Sequence, residues 1–394
     1  MNNLQKEKKN KAASNPPPPY TLWELLQYFL WLGTFGFGGP IALIGYMQKD
    51  LVEHKQWISK SDYLEGLGLS QLCPGPLAAQ LAMYLGWIRS GVLGATLVGL
   101  AFILPSFLMV LTLAIMYVHF GSLPWMQGVF YGIGASVVAI ILRSSLKLAK
   151  MTIEKYLFLI GFFLLNVGVT IWLAAEIVWV FIASGLAYML IKAPPKLPRI
   201  NPSFAFLPEW LTTGIHGAAS VPTLGKILIY FAWAGTFVFG SGLAIVPFLH
   251  NGVVNKLQWL NEQQFMDAVA VALITPGTVV ITVAFIGYLA GGFLGAFLAA
   301  MGVFIPPYAF VIGLATHYRK IVSNLSIQAF VKGITAAIAG AITGAAFILG
   351  KSSIYDVSTI CIFLVSCLIL FFIKKISDPL LIIVAGLVGY FLKN

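Results

Sequence analysis

Charged side chains are scarce in this sequence of 394 residues. Only 9% of the residues are Asp, Glu, Lys or Arg, whereas 59% are hydrophobic and the mean hydropathy is +0.90. An ordinary soluble domain carries roughly 25% charged residues, so this composition excludes a soluble globular protein. The 39 glycines lie inside apolar runs, which argues against a disordered chain. We therefore predict an all-α polytopic membrane protein.

The side chains that carry enzyme or metal chemistry are also few. The three cysteines and five histidines lack the spacing of a metal site or a disulfide framework. No nucleophile lies beside a recognisable base and orienting group. A phosphate-loop-like segment at 344–352 has five residues between its glycines instead of four, and it follows no strand. We expect no enzyme activity, no metal and no cofactor.

Uncharged stretches long enough to cross a bilayer as a helix recur along the chain. The stretch 268–316 has room for two crossings with a turn at Gly291 and Gly292. The alternating ten-residue segments of a membrane barrel are missing, so the spanning elements are helices. The other uncharged stretches are 90–118, 120–142, 156–175, 227–249, 333–350 and 357–373.

Positive charge dominates the ionisable groups, with a formal net charge of +11. The basic residues lie in short loops and in the tail 1–21, which carries four lysines before Pro16–Pro19. This distribution favours membrane orientation over nucleic-acid binding. The positive-inside rule places the tail in the cytoplasm.

The sequence contains an internal repeat at an offset of 202 residues. The motif at 33–38, Gly-Thr-Phe-x-Phe-Gly, recurs at 235–240. Trp57 aligns with Trp259, and Pro74-Gly75 aligns with Pro276-Gly277. We predict homologous repeats at 22–192 and 224–394, joined by a Pro-rich linker at 193–223. Such duplication is common in secondary transporters, which bind substrate between the repeats.

Each repeat offers six apolar elements, which gives about 10 to 12 transmembrane helices. In the first repeat they lie near 22–48, 61–88, 91–118, 125–143, 156–174 and 176–191. Six crossings per repeat make the repeats parallel, whereas the positive-inside rule favours an inverted second repeat. Inversion requires an odd number of crossings, so one element has to be re-entrant or two short ones share a span.

Two motifs in each repeat interrupt otherwise good apolar helices. They are 35–40 and 70–76 in the first repeat, and 237–242 and 272–278 in the second. Proline and glycine unwind the backbone, and unwound backbone at membrane depth has to be buried in protein or line a cavity. A helix that restarts after such a break presents free N–H groups to an anion. The alternative is that the motifs only permit kinks and close helix packing.

A few ionisable residues fall within or beside the apolar elements. Glu65 and its counterpart Asp267 lie nine residues before Pro74 and Pro276, and they are candidates for proton coupling or face the aqueous end of their helix. Glu176 and Asp378 read as loop residues. The remaining basic candidates attract anions to the pore or set helix orientation: Arg89, Arg143 and Lys147.

The two motifs, Trp57 and the duplication together resemble the chromate ion transporter family in its long two-domain form. The resemblance covers residues 22 onward and implies inverted repeats in a bacterial inner membrane, with chromate export that confers resistance and sulfate as a close analogue. The second repeat departs from the pattern, since Ser241-Gly242 replaces Gly39-Pro40 and Thr278 replaces Pro76. Equal roles for the two repeats therefore do not follow.

We expect alternating-access export of a divalent tetrahedral oxyanion, coupled to proton or counter-anion exchange, from a chain that lies in the lipid bilayer as a monomer or homodimer. Alternative functions are a passive oxyanion channel, a sulfate-type anion transporter and an enzyme acting on lipid-linked phosphate. The candidate substrate-binding residues are Phe37, Gly38, Gly39, Pro40, Pro74, Gly75, Pro76, Gln80, Gly240, Ser241, Gly242, Thr275, Pro276, Gly277 and Thr278.

Overall fold

The structure is a computed structural model. It describes residues 20–37, 39–120, 124–153, 156–173, 178–194, 221–238, 242–316, 324–373 and 376–393. The predicted tail and most of the predicted linker lie outside these ranges, as does Glu176. All regular secondary structure in the described residues is helical. This confirms the predicted all-α fold.

Seven helices of the first repeat lie in the described residues. Three of them follow one another closely: α1 (Leu22–Phe35), α2 (Gly39–Met47, continued by a π-helical segment Gln48–His54) and α3 (Lys60–Leu72). The long helix α4 (Leu77–Phe120) is interrupted at Ser90 and Gly91, where the backbone leaves helical geometry. The remaining helices are α5 (Pro124–Ile153), α6 (Leu157–Leu173) and α7 (Val178–Lys192).

The part of the second repeat that the structure describes has the corresponding seven helices. They are α8 (Val221–Gly235), α9 (Val246–Leu249, continued by a π-helical segment His250–Lys256), α10 (Glu262–Ile274), α11 (Thr282–Ala315), α12 (Leu325–Ser353), α13 (Val357–Phe372) and α14 (Asp378–Lys393). The interruption of α11 falls at Gly291 and Gly292, as the sequence predicts. Positive φ angles at Gln56 (52°) and Gln258 (51°), which are 202 residues apart, show that the duplication extends to the backbone.

The first two elements of each repeat fold back on themselves. The first element consists of α1 and α2, with the break between them. The Tyr28 hydroxyl of α1 donates to the Asp50 carboxylate, which follows α2, at 3.2 Å. In the second, a Cβ added to Gly66 on α3 would overlap Tyr84 on α4. A third reversal at Ser90 and Gly91 brings Gly86 against Gly94. Both broken elements of the repeat therefore form helical hairpins, whereas the sequence alone leaves open one re-entrant element or two short elements that share a span.

Equivalent helices of the two repeats meet in opposite directions. Ser145 on α5 accepts a hydrogen bond from Thr343 on α12 at 3.1 Å, whereas Gly134, earlier on α5, lies opposite Ser353, later on α12. Two equivalent helices that cross in opposite directions are related by a two-fold rotation axis that is perpendicular to both of them. Since both helices are long and apolar enough to span a membrane, that axis lies in the membrane plane and the repeat is inverted.

The last helices of each repeat are exchanged between the repeats. Helix α5 packs against α13 and α14 of the second repeat, and α12 packs against α6 and α7 of the first. Small residues make this contact close: Gly132 on α5 lies directly against Ala385 and Gly389 on α14. Neither repeat is therefore complete without the other.

The outer surface is apolar. Large hydrophobic side chains are highly exposed on α6, α7, α13 and α14, including Trp172 at 84% and Phe372 at 79%. Four helices in the described residues are long and apolar enough to cross a membrane, and three shorter apolar helices accompany them. A lipid bilayer is the environment that such a surface requires.

Replacement of Gly132 by Ala tests the exchanged packing. The added methyl group would overlap the Ala385 carbonyl oxygen, and backbone atoms have little room to shift. We expect a loss of about 1–3 kcal/mol in the free energy of unfolding, measured by unfolding in detergent. Gly161→Ala on α6 is the matched control, since nothing lies within 4 Å of its added Cβ. Equal stability of the two variants would contradict the close α5–α14 contact.

Candidate functional site

The helices stop at the predicted motifs. Helix α1 ends at Phe35, and α3 ends at Leu72 before an irregular segment at 73–76. In the second repeat α8 ends at Gly235, and α10 ends at Ile274 before the equivalent irregular segment 275–278. The predicted interruptions are thus present in the structure.

The four breaks meet at the centre of the molecule through crossed backbone hydrogen bonds. The Gly277 amide in the second repeat donates to the Gly36 carbonyl in the first, at 2.9 Å. The Gly75 amide in the first repeat donates to the Val238 carbonyl in the second. These two bonds are equivalent under the 202-residue offset. Each repeat therefore satisfies backbone groups that the other repeat leaves open.

Glycine is required where these bonds form. Gly75 has a φ of 142° and Gly277 a φ of 96°, which side-chain-bearing residues rarely adopt. A Cβ at Gly75 would overlap Pro307 on α11, and one at Gly277 would overlap the Ser106 hydroxyl on α4. Ser106 and Pro307 are themselves repeat counterparts at an offset of 201. Each break is thus held against a long helix of the other repeat.

Gln80 supports the second break of the first repeat. Its side chain is fully buried, and its amide nitrogen donates to the Pro74 carbonyl at 2.8 Å. Its amide oxygen is buried with no hydrogen-bond partner among the described residues. A buried acceptor without a donor costs about 1–3 kcal/mol. The counterpart Thr282 instead bonds back to the Val279 carbonyl at 2.7 Å.

A cavity of about 310 Å³ opens beside two of the four breaks, and we call it the basic cavity. Gly36, Phe37, Gly39 and Pro40 line it from the first break of the first repeat, and Thr275 and Gly277 from the second break of the second. Helix α5 contributes Arg143, Ser144 and Lys147, and the start of α14 contributes Ser377 and Asp378.

The basic cavity is suited to an anion. Arg143 and Lys147 lie one helical turn apart on α5 and face it together. Helix α2 begins at Gly39 and α14 begins at Asp378, so two helix N-termini with their partial positive charge also face the cavity. Asp378 forms an ion pair with Arg143 at 3.2 Å, and it is the acidic member of the described lining.

The predicted substrate-binding residues separate into three groups. Five line the basic cavity: Phe37, Gly39, Pro40, Thr275 and Gly277. The Thr275 hydroxyl already donates to the Ala272 carbonyl at 3.1 Å. Seven others belong to the described breaks without lining this cavity: Pro74, Gly75, Pro76, Gln80, Gly242, Pro276 and Thr278. Three lie outside the described residues: Gly38, Gly240 and Ser241.

The symmetry-related position lacks the two cations. An offset of 201 residues aligns α5 with α12, and it places Gly132 on Gly333. At this offset Arg143 and Lys147 correspond to Gly344, which is buried, and to Ile348, which is half-buried. The two repeats share a backbone, but an uncharged pair on α12 replaces the two cations of α5.

A second, larger cavity of about 620 Å³, the polar cavity, contains Asp267. This side chain is 3% exposed, and both of its oxygens accept hydrogen bonds: from the Tyr117 hydroxyl at 2.7 Å and from the Gln263 amide at 2.9 Å. Its counterpart Glu65 is half-buried on α3 and lines neither cavity. The two proton-coupling candidates therefore have different environments.

The two cavities lie at opposite ends of the same helices. Helix α5 carries Tyr131 at the polar cavity and Arg143 at the basic cavity, about 18 Å apart along the helix axis. Helix α14 runs from Asp378 at the basic cavity to Lys393 at the polar cavity. The two cavities thus lie on opposite sides of the molecule, and the basic cavity is the one that break residues line.

The basic cavity lies on the same side as the start of α1. Arg89 lies at the reversal before residues 92–120, and it donates to the Tyr20 carbonyl at 2.9–3.0 Å. Tyr117, near the other end of residues 92–120, lines the polar cavity. The start of α1 is therefore on the side of the molecule opposite the polar cavity. Arg89 therefore anchors the start of α1 and does not line either cavity. Among the described residues, no cluster of three His, Cys, Asp or Glu is arranged to hold a metal ion.

A family model named "Chromate transporter" matches residues 23–189 and again residues 225–390. The chain belongs to the chromate transporter family. The double match fits the two-repeat arrangement described above.

Curated relatives support this membership over the full length. A chromate transport protein of Cupriavidus metallidurans is 51% identical over 392 residues, covering 99% of this chain and 98% of the relative. A probable chromate transport protein of Synechococcus elongatus is 49% identical over 94% of this chain and 96% of its own. A chromate transport protein of Pseudomonas aeruginosa is 29% identical over 95% of this chain and 93% of its own. No solved structure matches the chain.

Replacement of Gly277 by Ala tests the central crossing. Its positive φ strains any side chain, and the added methyl group would overlap the Ser106 hydroxyl. We expect a loss of about 1–3 kcal/mol in unfolding free energy, measured by thermal unfolding in detergent. Gly277→Ala combined with Ser106→Gly should regain part of that loss, because the overlap is removed while the strain persists. Gly313→Ala on α11, with open space around it, is the control.

Proposed function

We propose that this chromate transporter exports chromate across the bacterial inner membrane by alternating access, coupled to proton or counter-anion exchange, and that the basic cavity is its substrate site. The observation that carries the proposal is the position of Arg143 and Lys147. Both face a cavity bounded by breaks from the two repeats. Inverted-repeat transporters bind substrate at such broken helices.

The chemistry of the basic cavity fits a divalent oxyanion. Two cationic side chains match two negative charges, and the hydroxyls of Ser144 and Ser377 lie in the same lining. A volume of about 310 Å³ is roughly that of ten water molecules, which leaves room for a tetrahedral oxyanion with part of its hydration shell. We expect chromate to contact Arg143, Lys147 and the amides at the start of α2.

The placement of the cavity supports loading from the cytoplasm. It lies on the side of the molecule where α1 begins, and the lysine-rich tail before α1 is cytoplasmic by the positive-inside rule. The sequence therefore favours a cytoplasmic opening for the basic cavity. Export requires substrate to enter from that side.

The counterpart of the basic cavity supports alternating access. Val238, Gly75 and Pro76 are buried there, and the Gln80 amide oxygen has no donor among the described residues. Opening of this side would give water or substrate access to that oxygen and relieve the cost of its burial. We propose that the second conformation of the cycle opens there, next to the polar cavity.

Asp267 is the better supported of the two proton-coupling candidates. It is buried at the polar cavity, where hydrogen bonds from Tyr117 and Gln263 hold both oxygens. A buried carboxyl group exchanges protons only through a path to water, and the polar cavity offers one.

Chromate flux into proteoliposomes, with and without an imposed pH gradient, tests the transport proposal. Arg143→Ala should raise the KM for chromate about tenfold or more, because a hydrogen bond to a charged group contributes about 1.5–3 kcal/mol. Arg143→Lys should retain part of the affinity. Lys150→Ala is the matched control, since Lys150 is an exposed cation on the same helix that does not line the cavity.

Three outcomes would count against this proposal. Absence of saturable chromate flux under any gradient would remove the transporter assignment. Conductance in planar bilayers without counter-transport would favour a passive channel. An equal effect of Arg143→Ala and Lys150→Ala would move the substrate site away from the basic cavity.

Asp267→Asn tests proton coupling. We expect chromate flux down its own gradient to persist, while stimulation by a pH gradient is lost, because the amide takes up no proton. Glu65→Gln, at the counterpart that lines neither cavity, should keep the stimulation. The measurement is the ratio of flux with and without the pH gradient. Full stimulation in Asp267→Asn would exclude Asp267 as the coupling group.

A further inference from the structure

Asp378 neutralises part of the positive charge that the basic cavity offers to a substrate. One of its carboxylate oxygens lies 3.2 Å from a terminal guanidinium nitrogen of Arg143. Both side chains are about one quarter exposed, at 27% and 29%. The ion pair belongs to the lining of the cavity, so an anion that enters meets the carboxylate and the guanidinium together.

Asp378 and an entering anion compete for the positive charge of the described lining. Arg143 and Lys147 contribute two positive charges, and Asp378 contributes one negative charge. The cavity therefore carries one net positive charge while the ion pair is closed, and two when Asp378 withdraws. A divalent oxyanion is neutralised only in the second case. Lys374 and Lys375, which precede Asp378 in the sequence, lie outside the described residues.

We propose that Asp378 is an internal counter-anion that the divalent oxyanion displaces from Arg143, so that each binding event exchanges one ion pair for another. This inference rests on the proposed function, because it takes the basic cavity as the substrate site. It adds a residue that sets affinity and charge selectivity: the carboxylate weakens binding and allows release of the substrate.

The geometry of the ion pair suits exchange. A single oxygen–nitrogen contact is made, whereas the strongest Arg–carboxylate pairs are bidentate. Partial exposure screens the pair further, and pairs of this kind have small net stability. Asp378 also begins α14, where the helix N-terminus stabilises a carboxylate that has left Arg143. No described carboxylate other than Asp378 lies within ion-pair distance of Arg143 or Lys147.

Asp378→Asn, in the full-length protein, is the decisive variant. We expect the dissociation constant for chromate, measured by titration of the purified protein, to fall about three- to tenfold. In proteoliposomes the KM should fall and the kcat should also fall, because tighter binding slows release. Asp378→Glu keeps the charge and should stay closer to the unchanged protein. A purely structural role predicts lower thermal stability with no gain in affinity.

A double variant distinguishes displacement from simple repulsion. In an Arg143→Gln background there is no guanidinium to release, so Asp378→Asn should give a much smaller gain in affinity. The same gain in both backgrounds would overturn the displacement mechanism, and unchanged or weaker binding in Asp378→Asn alone would overturn the inference as a whole. Absence of chromate binding by the unchanged protein would instead refute the proposed function.

Discussion

The crossed hydrogen bonds at the centre are the constraint on which the rest of the structure depends. An unwound backbone segment inside an apolar molecule has to find partners for its amides and carbonyls, since water is not available there. Here each repeat supplies them to the other, through Gly277 to Gly36 and through Gly75 to Val238. Each break of one repeat is therefore paired with a break of the other repeat. This explains why two repeats that exchange their last helices also share one central junction.

The same junction shows how a symmetric backbone supports an asymmetric site. Both repeats have two hairpins, a reversal and a long helix at matching positions, down to the strained Gln56 and Gln258. The difference lies in side chains on the exchanged helices. Where α5 presents Arg143 and Lys147, α12 presents Gly344 and Ile348, and the uncharged pair needs no counter-ion while the cations require solvent or an anion. The proposed substrate site therefore depends on α5, which lies outside the broken motifs.

The sequence predicts more of the fold than of the site. The duplication, the helices, the interruptions and the inversion follow from repeated motifs, apolar length and loop charge, which act locally or average over many residues. The number of re-entrant elements cannot be predicted from the sequence. The residues around Pro74 are the same whether the helix continues across the membrane after the break or folds back. In the sequence, Arg143 reads as a charge at a helix end and Asp378 reads as a loop residue. Only the packing of α5 against α14 shows that they face one cavity.

The two acids have different partners in the two cavities. Asp267 accepts hydrogen bonds on both oxygens from neutral donors, and no ion pair to it occurs among the described residues. Asp378 is held by one bond to a cation of the proposed substrate site. An anion at the basic cavity acts directly on Asp378. The same anion acts on Asp267 only through α5, α10 and α14, the helices that connect the two cavities. The tight glycine contacts of these helices, such as Gly132 against Gly389, leave little freedom for independent movement, so any coupling between the two cavities has to pass through this packing.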